Sequence, residues 1–145
     1  MKEKVLVKDS KGVFLKMFRR KFKNEIEFSE ESFFENNKDS SNQYSRIVYV
    51  IHNRQELLSF LQENKNSNAL VCLFDKQFYR SLVFLEVMNN LILFDELKTS
   101  REVLKELKKF FKRRVDSKNE IAGLSNQDYS PIKHQNYYQA MYFLI

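Results

Sequence analysis

Short continuous apolar runs alternate with helical apolar stripes along most of this chain, and that alternation leaves few folds open. Five runs read as strands: Val5–Val7, Ile26–Phe28, Ile47–Ile51, Leu70–Phe74 and Leu91–Phe94. The last three are unbroken and rich in Val, Ile, Leu and aromatics, as strands are when helices cover both sheet faces. The second is short and carries Glu27, which suits an edge strand. Between the runs lie helical stripes. Val13, Phe14, Met17, Phe18 and Phe22 recur at helical spacing; Asn53 caps a stripe of Leu57, Leu58 and Leu61; Phe78, Leu82, Leu85 and Met88 form a third. The clearest stripe starts at Ser100, read as its cap, and carries Val103, Leu104, Leu107, Phe110 and Phe111 inward with lysines outward. Phe33 and Phe34 nucleate at most one turn, and Glu35–Ser45 reads as loop.

Strict β-α alternation requires right-handed crossovers and therefore a parallel sheet with helices on both sides. The expected fold is α/β: a three-layer, doubly wound, five-stranded parallel sheet in the order 2-1-3-4-5, with a C-terminal tail. The boundaries drawn are an α/β domain over 1–114 and a tail over 115–145. In that tail 115–136 is a polar linker and Tyr137–Ile145 is aromatic and apolar. A chain of 145 residues with 43% hydrophobic and 30% charged residues can bury a core without staples.

The single cysteine, Cys72, sits inside an apolar run and reads as a buried core thiol, so no intrachain disulfide is expected. No apolar stretch reaches bilayer length, and the apolar run after Met1-Lys2-Glu3-Lys4 is too short for a secretory leader. A cytoplasmic location without membrane contact is the expectation.

The formal charge is +6, unevenly distributed. Residues 11–23 hold six cations (Lys11, Lys16, Arg19, Arg20, Lys21, Lys23) and no acid. Residues 101–114 hold seven cations against Glu102 and Glu106, whereas 25–39 are acidic. Such blocks set up local fields. Solvated helix faces account for them, as does the helix macrodipole for Lys112–Arg114; phosphate contact with nucleic acid is the competing reading. Tyr129 and Tyr137 are available for base stacking, but no recognition motif is present.

The opening Lys4-Val5-Leu6-Val7-Lys8-Asp9-Ser10, together with the closing Leu91-Ile92-Leu93-Phe94-Asp95-Glu96-Leu97 and the helix over 100–114, resembles a response-regulator receiver domain of two-component signal transduction. The resemblance covers about residues 3–114. It implies a phosphoryl site at the carboxyl ends of the strands: an acidic pair for Mg²⁺, an acceptor Asp after the third strand, a hydroxyl after the fourth and a lysine after the fifth. Asp9 matches the first acid, and Ser10 replaces the second. Ile51 or His52 falls at the acceptor position, Phe74 near the hydroxyl position, and Asp95-Glu96 replaces the Lys-Pro step. The resemblance therefore implies a degenerate receiver that is not phosphorylated on Asp.

The same edge would gather Asp9, His52, Asp75, Asp95 and Glu96. Two readings stand: a rebuilt divalent-metal site, or strand-end residues that cap helices and meet solvent. The second is preferred, so no metal, cofactor or catalytic residue is assigned. With two glycines, Gly12 and Gly123, no phosphate loop exists, and His134 reads as an ordinary exposed histidine. The expected function is a non-enzymatic pseudo-receiver module acting through contact with a protein partner or with itself as a homodimer. Leu104, Lys108, Phe111, Tyr137, Tyr138, Met141 and Phe143 are the interface candidates. The alternative is a weak, largely non-specific nucleic-acid-binding domain using the basic helices.

Overall fold

The computed structural model describes residues 2–31, 44–62, 68–87, 90–95 and 98–113. Along them run β1 (Glu3–Lys8), α1 (Val13–Phe22), β2 (Ile26–Glu31), β3 (Arg46–Ile51), α2 (Arg54–Gln62), β4 (Ala69–Leu73), α3 (Tyr79–Val87), β5 (Leu91–Leu93) and α4 (Ser100–Lys112). A 3-10 turn over Lys76–Phe78 leads into α3. The strands form one sheet in the order β2-β1-β3-β4-β5, every pair parallel. This is the doubly wound order expected from the alternation of elements.

Period-2 alternation divides the sheet's side chains between two cores. One face sends Leu6, Ile47, Tyr49, Ile51, Val71 and Leu73 against Leu57 and Phe60 of α2 and Leu82 and Leu85 of α3. The other sends Val5, Val7, Val48, Val50, Leu70 and Cys72 against Phe14, Phe18 and Phe22 of α1 and Val103, Leu107 and Phe110 of α4. The first and last helices therefore share a face. Their contact is aromatic: the Phe22 and Phe111 rings lie 5.0 Å apart, and Phe111 reaches Phe28 of β2 at 6.1 Å.

Several expected details shift. β2 is an edge strand but runs on to Glu31, because Ile26, Phe28 and Glu31 are buried and the full length pairs with β1. Phe74 and Phe94 lie just past the ends of β4 and β5. Thr99, not Ser100, caps α4: its backbone is extended and its hydroxyl accepts from Glu102 N at 3.2 Å. Ser100 is already the first helical residue. Met17 is 40% exposed, because the burying face of α1 is the narrower Phe14–Phe18–Phe22 line. Phe33, Phe34, Met88 and residues 115–145 lie outside the described residues.

At the amino ends of the strands, Arg46 holds the face of α1 and α4 together. It is 3% exposed. Its Nε donates to Glu3 Oε1 of β1 at 2.6 Å, Nη1 to Phe110 O at 2.8 Å, and Nη2 to Phe111 O at 3.2 Å and to Arg113 O. The guanidinium also lies over the Phe110 ring, 5.1 Å from its centre. These carbonyls lie at the carboxyl end of the helix, where intrahelical donors run out; Phe110 O accepts from Arg113 N at 3.2 Å as well.

Arg46→Ala should destabilise the protein by about 3 kcal/mol, because it removes hydrogen bonds to a charged group and leaves buried acceptors unmet. Arg46→Lys should not restore the loss, since an ammonium cannot form the fork. Leu107→Ala, at a fully buried position, should cost about 2–5 kcal/mol. Urea unfolding measures all three, and a loss below about 0.5 kcal/mol for Leu107→Ala would mean α4 is not packed on the sheet.

Candidate functional site

The carboxyl ends of the strands carry the residues that a ligand would meet in this architecture. After β1 the chain turns through Asp9–Gly12. Gly12 has φ +66°, a left-handed conformation that favours glycine. Asp9 turns inward and is buried. Its Oδ1 accepts from Lys11 N at 3.0 Å and its Oδ2 from Phe14 N at 2.9 Å, which ties down the start of α1. Oδ1 also meets His52 Nε2 at 2.8 Å. A carboxylate accepts only, so the histidine tautomer in this contact carries its proton on Nε2.

His52 follows β3 and is fixed from three directions. Its backbone N–H donates to Glu56 Oε1 at 2.8 Å, its ring bonds Asp9, and its ring stacks on Phe74 at 4.8 Å with an interplanar angle of 28°. Phe74 in turn meets Phe94 at 4.4 Å, and Phe94 meets Phe18 of α1 at 6.0 Å. A file of rings thus runs across the ends of β3, β4 and β5 and closes against α1.

Glu56 binds the neighbouring loops together. It is 1% exposed, and besides His52 N it accepts the Ser10 hydroxyl proton on Oε2. Its own N–H donates to Asn53 Oδ1 at 2.9 Å. Asn53 and Glu56 stand at the spacing of a capping box, with the carboxylate reaching back one residue further than usual.

Of the five strand-end residues singled out from sequence, the structure joins Asp9 to His52. Asp75 instead caps the turn after β4, accepting from Gln77 N at 3.1 Å and Gln77 Nε2 at 2.8 Å. Asp95 lies 3.5 Å from Lys76 Nζ. Glu96 is outside the described residues. Among the described residues no group of three or more His, Cys, Asp or Glu side chains is placed to hold a metal ion.

Of the interface candidates, Leu104 and Phe111 are half-buried against the core shared by α1 and α4, and Lys108 is exposed. Tyr137, Tyr138, Met141 and Phe143 lie outside the described residues. The part of Glu56 went unread in the sequence, although the Asn53–Glu56 spacing announces it. The Phe74–Phe94 contact had a weaker signal: one aromatic immediately after each of two neighbouring strands.

A second feature lies beside β2. Lys11, Lys16, Arg19 and Arg20 line an open cleft of about 480 Å³ along α1, with Gly12 at its head and Glu30 also on its wall. Lys11, Lys16, Arg19 and Arg20 are all exposed. No helix among the described residues is long and apolar enough to cross a membrane.

No protein-family model, curated protein or solved structure matches this chain.

Cys72 is buried on the face shared by α1 and α4. Burial pushes its thiol pKa far up, and the nearby charges of Asp9 and Glu106 push it in the same direction. The thiolate is the reactive form. Cys72 should therefore resist a disulfide reagent such as DTNB in the native protein and react after unfolding in guanidinium. Fast stoichiometric labelling of native protein would show that this face opens readily.

Proposed function

We propose that this chain is a non-catalytic receiver-like module that acts through contact with a protein partner or a second copy of itself, and not through aspartyl phosphorylation. The observation that carries this reading is the state of the strand-end edge. The acid that matches a receiver's first carboxylate, Asp9, is buried and committed to Lys11 N, Phe14 N and His52. The acceptor position at the end of β3 holds Ile51 and His52, and the positions after β4 and β5 hold Phe74 and Phe94 in contact. A phosphoryl site needs an accessible carboxylate nucleophile, oxygen ligands for a cation, and donors for the developing charge. Stacked rings supply none of these.

Support for contact with a protein comes from the opposite end of the sheet order. β5 is an edge strand of three residues, Leu91–Leu93, and among the described residues no strand pairs with its outer side. α3 packs on β5 and carries Val83 at 46% exposure. Backbone groups on the outer side of an edge strand can pair with a further chain, which is the mode of contact this reading takes. The alternative reading, a weak and largely non-specific nucleic-acid-binding domain, is favoured by a separate observation: α1 has four cations and no acid and α4 five cations and two acids, whereas α2 and α3 each have one of either sign.

Incubation with acetyl phosphate and Mg²⁺ should add no phosphoryl group, as read by intact-protein mass. An acyl phosphate on any aspartate would overturn the pseudo-receiver reading. Self-association through the β5 edge should persist at high salt in light scattering and be weakened by Val83→Glu.

A further inference from the structure

We propose that α1 and α4 form one continuous surface for the phosphate backbone of a nucleic-acid duplex, centred on the cleft along α1. The proposal rests on the nucleic-acid reading above and adds to it the surface, the two-helix unit and the form of nucleic acid.

The two basic blocks, far apart in sequence, meet on one face of the sheet. α1 and α4 pack into the same core and touch through Phe22 and Phe111. Outward from that contact, Lys16, Arg19, Arg20 and Lys21 of α1 are exposed, and α1 contains no acid. Lys105, Lys108, Lys109 and Lys112 of α4 are exposed too. α4 has two acids, and one of them, Glu106, is paired with Lys98 at 3.3 Å. On the other face, α2 and α3 each contain one cation and one acid in sequence. One-sided clustering of Lys and Arg is the arrangement that counterion release from a nucleic acid requires.

The macrodipole favours Arg19, Arg20 and Lys21 in the last turn of α1 and Lys109 and Lys112 in that of α4, but it does not call for Lys11, Lys16, Lys105 or Lys108. Lys11 stands just before α1, whose first turn holds no acid of its own; the Asp9 carboxylate accepts from Lys11 N and Phe14 N there, and Glu30 lies on the same cleft wall. At the end of α4 the carbonyls of Phe110, Phe111 and Arg113 already accept from Arg46. Lys112 is not needed to satisfy them. The exposed cations away from the helix ends suit an external anion.

The occupant follows from what lines the cleft. From Gly12 to Arg20, α1 rises about 12 Å, over which one strand of a duplex presents about three phosphates. Among the described residues on the cleft wall Leu15 is the one apolar side chain, and none is aromatic. Single strands are held largely by stacking on aromatic platforms; charge without stacking or base-edge donors favours a duplex backbone with little sequence preference.

The test is fluorescence anisotropy with a labelled duplex of about 20 base pairs and mixed sequence. For contact with about four phosphates, micromolar binding at about 50 mM salt should weaken roughly 100-fold by about 200 mM. Three variants carry exposed reversals: Lys16→Glu/Arg19→Glu/Arg20→Glu on α1, Lys105→Glu/Lys108→Glu/Lys112→Glu on α4, and Arg54→Glu/Arg80→Glu on the opposite face. Circular dichroism melting checks that each remains folded. The α1 and α4 variants should each lose at least about tenfold in affinity and flatten the salt dependence, while the opposite-face variant changes affinity less than about twofold. No binding by the wild type at about 50 mM salt would end both the nucleic-acid reading and this surface. Binding that only the α1 variant weakens would leave the reading standing and overturn the two-helix surface. An equal loss in the opposite-face variant would overturn it in favour of net charge alone. Tighter binding to a single strand, or to polyglutamate, would overturn the duplex as occupant.

Discussion

The structure depends on one buried arginine. Arg46 opens β3, the central strand of the sheet, and is the point where β1, β3 and the end of α4 are joined. Removing a guanidinium from water is costly, and the cost is offset only when its donors are all well placed. Here a carboxylate and three backbone carbonyls take them, and the Phe110 ring accepts its face. Arg113 lies over the same ring at 5.0 Å and donates to Asn90 Oδ1 at 2.8 Å, extending the connection to the start of β5. A lysine in place of Arg46 would bring one point charge to a site that needs a fork. Because α4 is anchored at this end, its apolar line meets the sheet and its neighbour on that face is α1.

At the other end of the strands a second polar centre does similar structural work with opposite charge. Asp9 fixes the start of α1 and the ring of His52, and Glu56 fixes the start of α2 and the same histidine's backbone. Two buried carboxylates thus brace adjacent strand-to-helix turns. The consequence for function is direct. In an architecture whose ligands ordinarily bind at this edge, Asp9, Glu56 and Asp75 here are engaged in capping, Asp95 stands beside Lys76, and Phe74 and Phe94 meet between the ends of β4 and β5. The fold alone does not dictate chemistry; the residues at the strand ends do.

Most of the fold was legible because it follows from hydrophobic period and connection rules. The runs at Ile47–Ile51 and Leu70–Phe74 are apolar at every position, so they had to be central, and the sheet order followed from alternation. Boundaries were less legible. Glu31 is polar by letter yet buried, and Thr99 and Ser100 are equally good caps by type, separated only by backbone angles. The site was legible in part. Position after a strand placed Asp9 and His52 on one edge, but no local pattern distinguishes the aspartate that turns inward from Asp75, which caps its own turn. Arg46 was illegible for a deeper reason: besides Glu3 its partners are three carbonyls more than sixty residues away, and backbone acceptors leave no trace in side-chain letters.

The placement of charge shows what folding adds to composition. Residues 11–23 and 101–114 are ordinary basic stretches when read singly, and either could be a solvated helix face. The order β2-β1-β3-β4-β5 reverses the direction of strand addition after β2, so right-handed connections send α1 to one side and α2 and α3 to the other, and α4, which follows β5, packs on the side of α1. Like charges brought together in this way repel, although solvent and salt screen them over roughly 8–10 Å. The repulsion falls on α1 and α4 and is absent between α2 and α3, whose charges balance. A composition selected only for a hydrated surface has no reason to load one face and neutralise the other. On the nucleic-acid proposal that repulsion is relieved when the lysines and arginines displace the cations condensed on the phosphates.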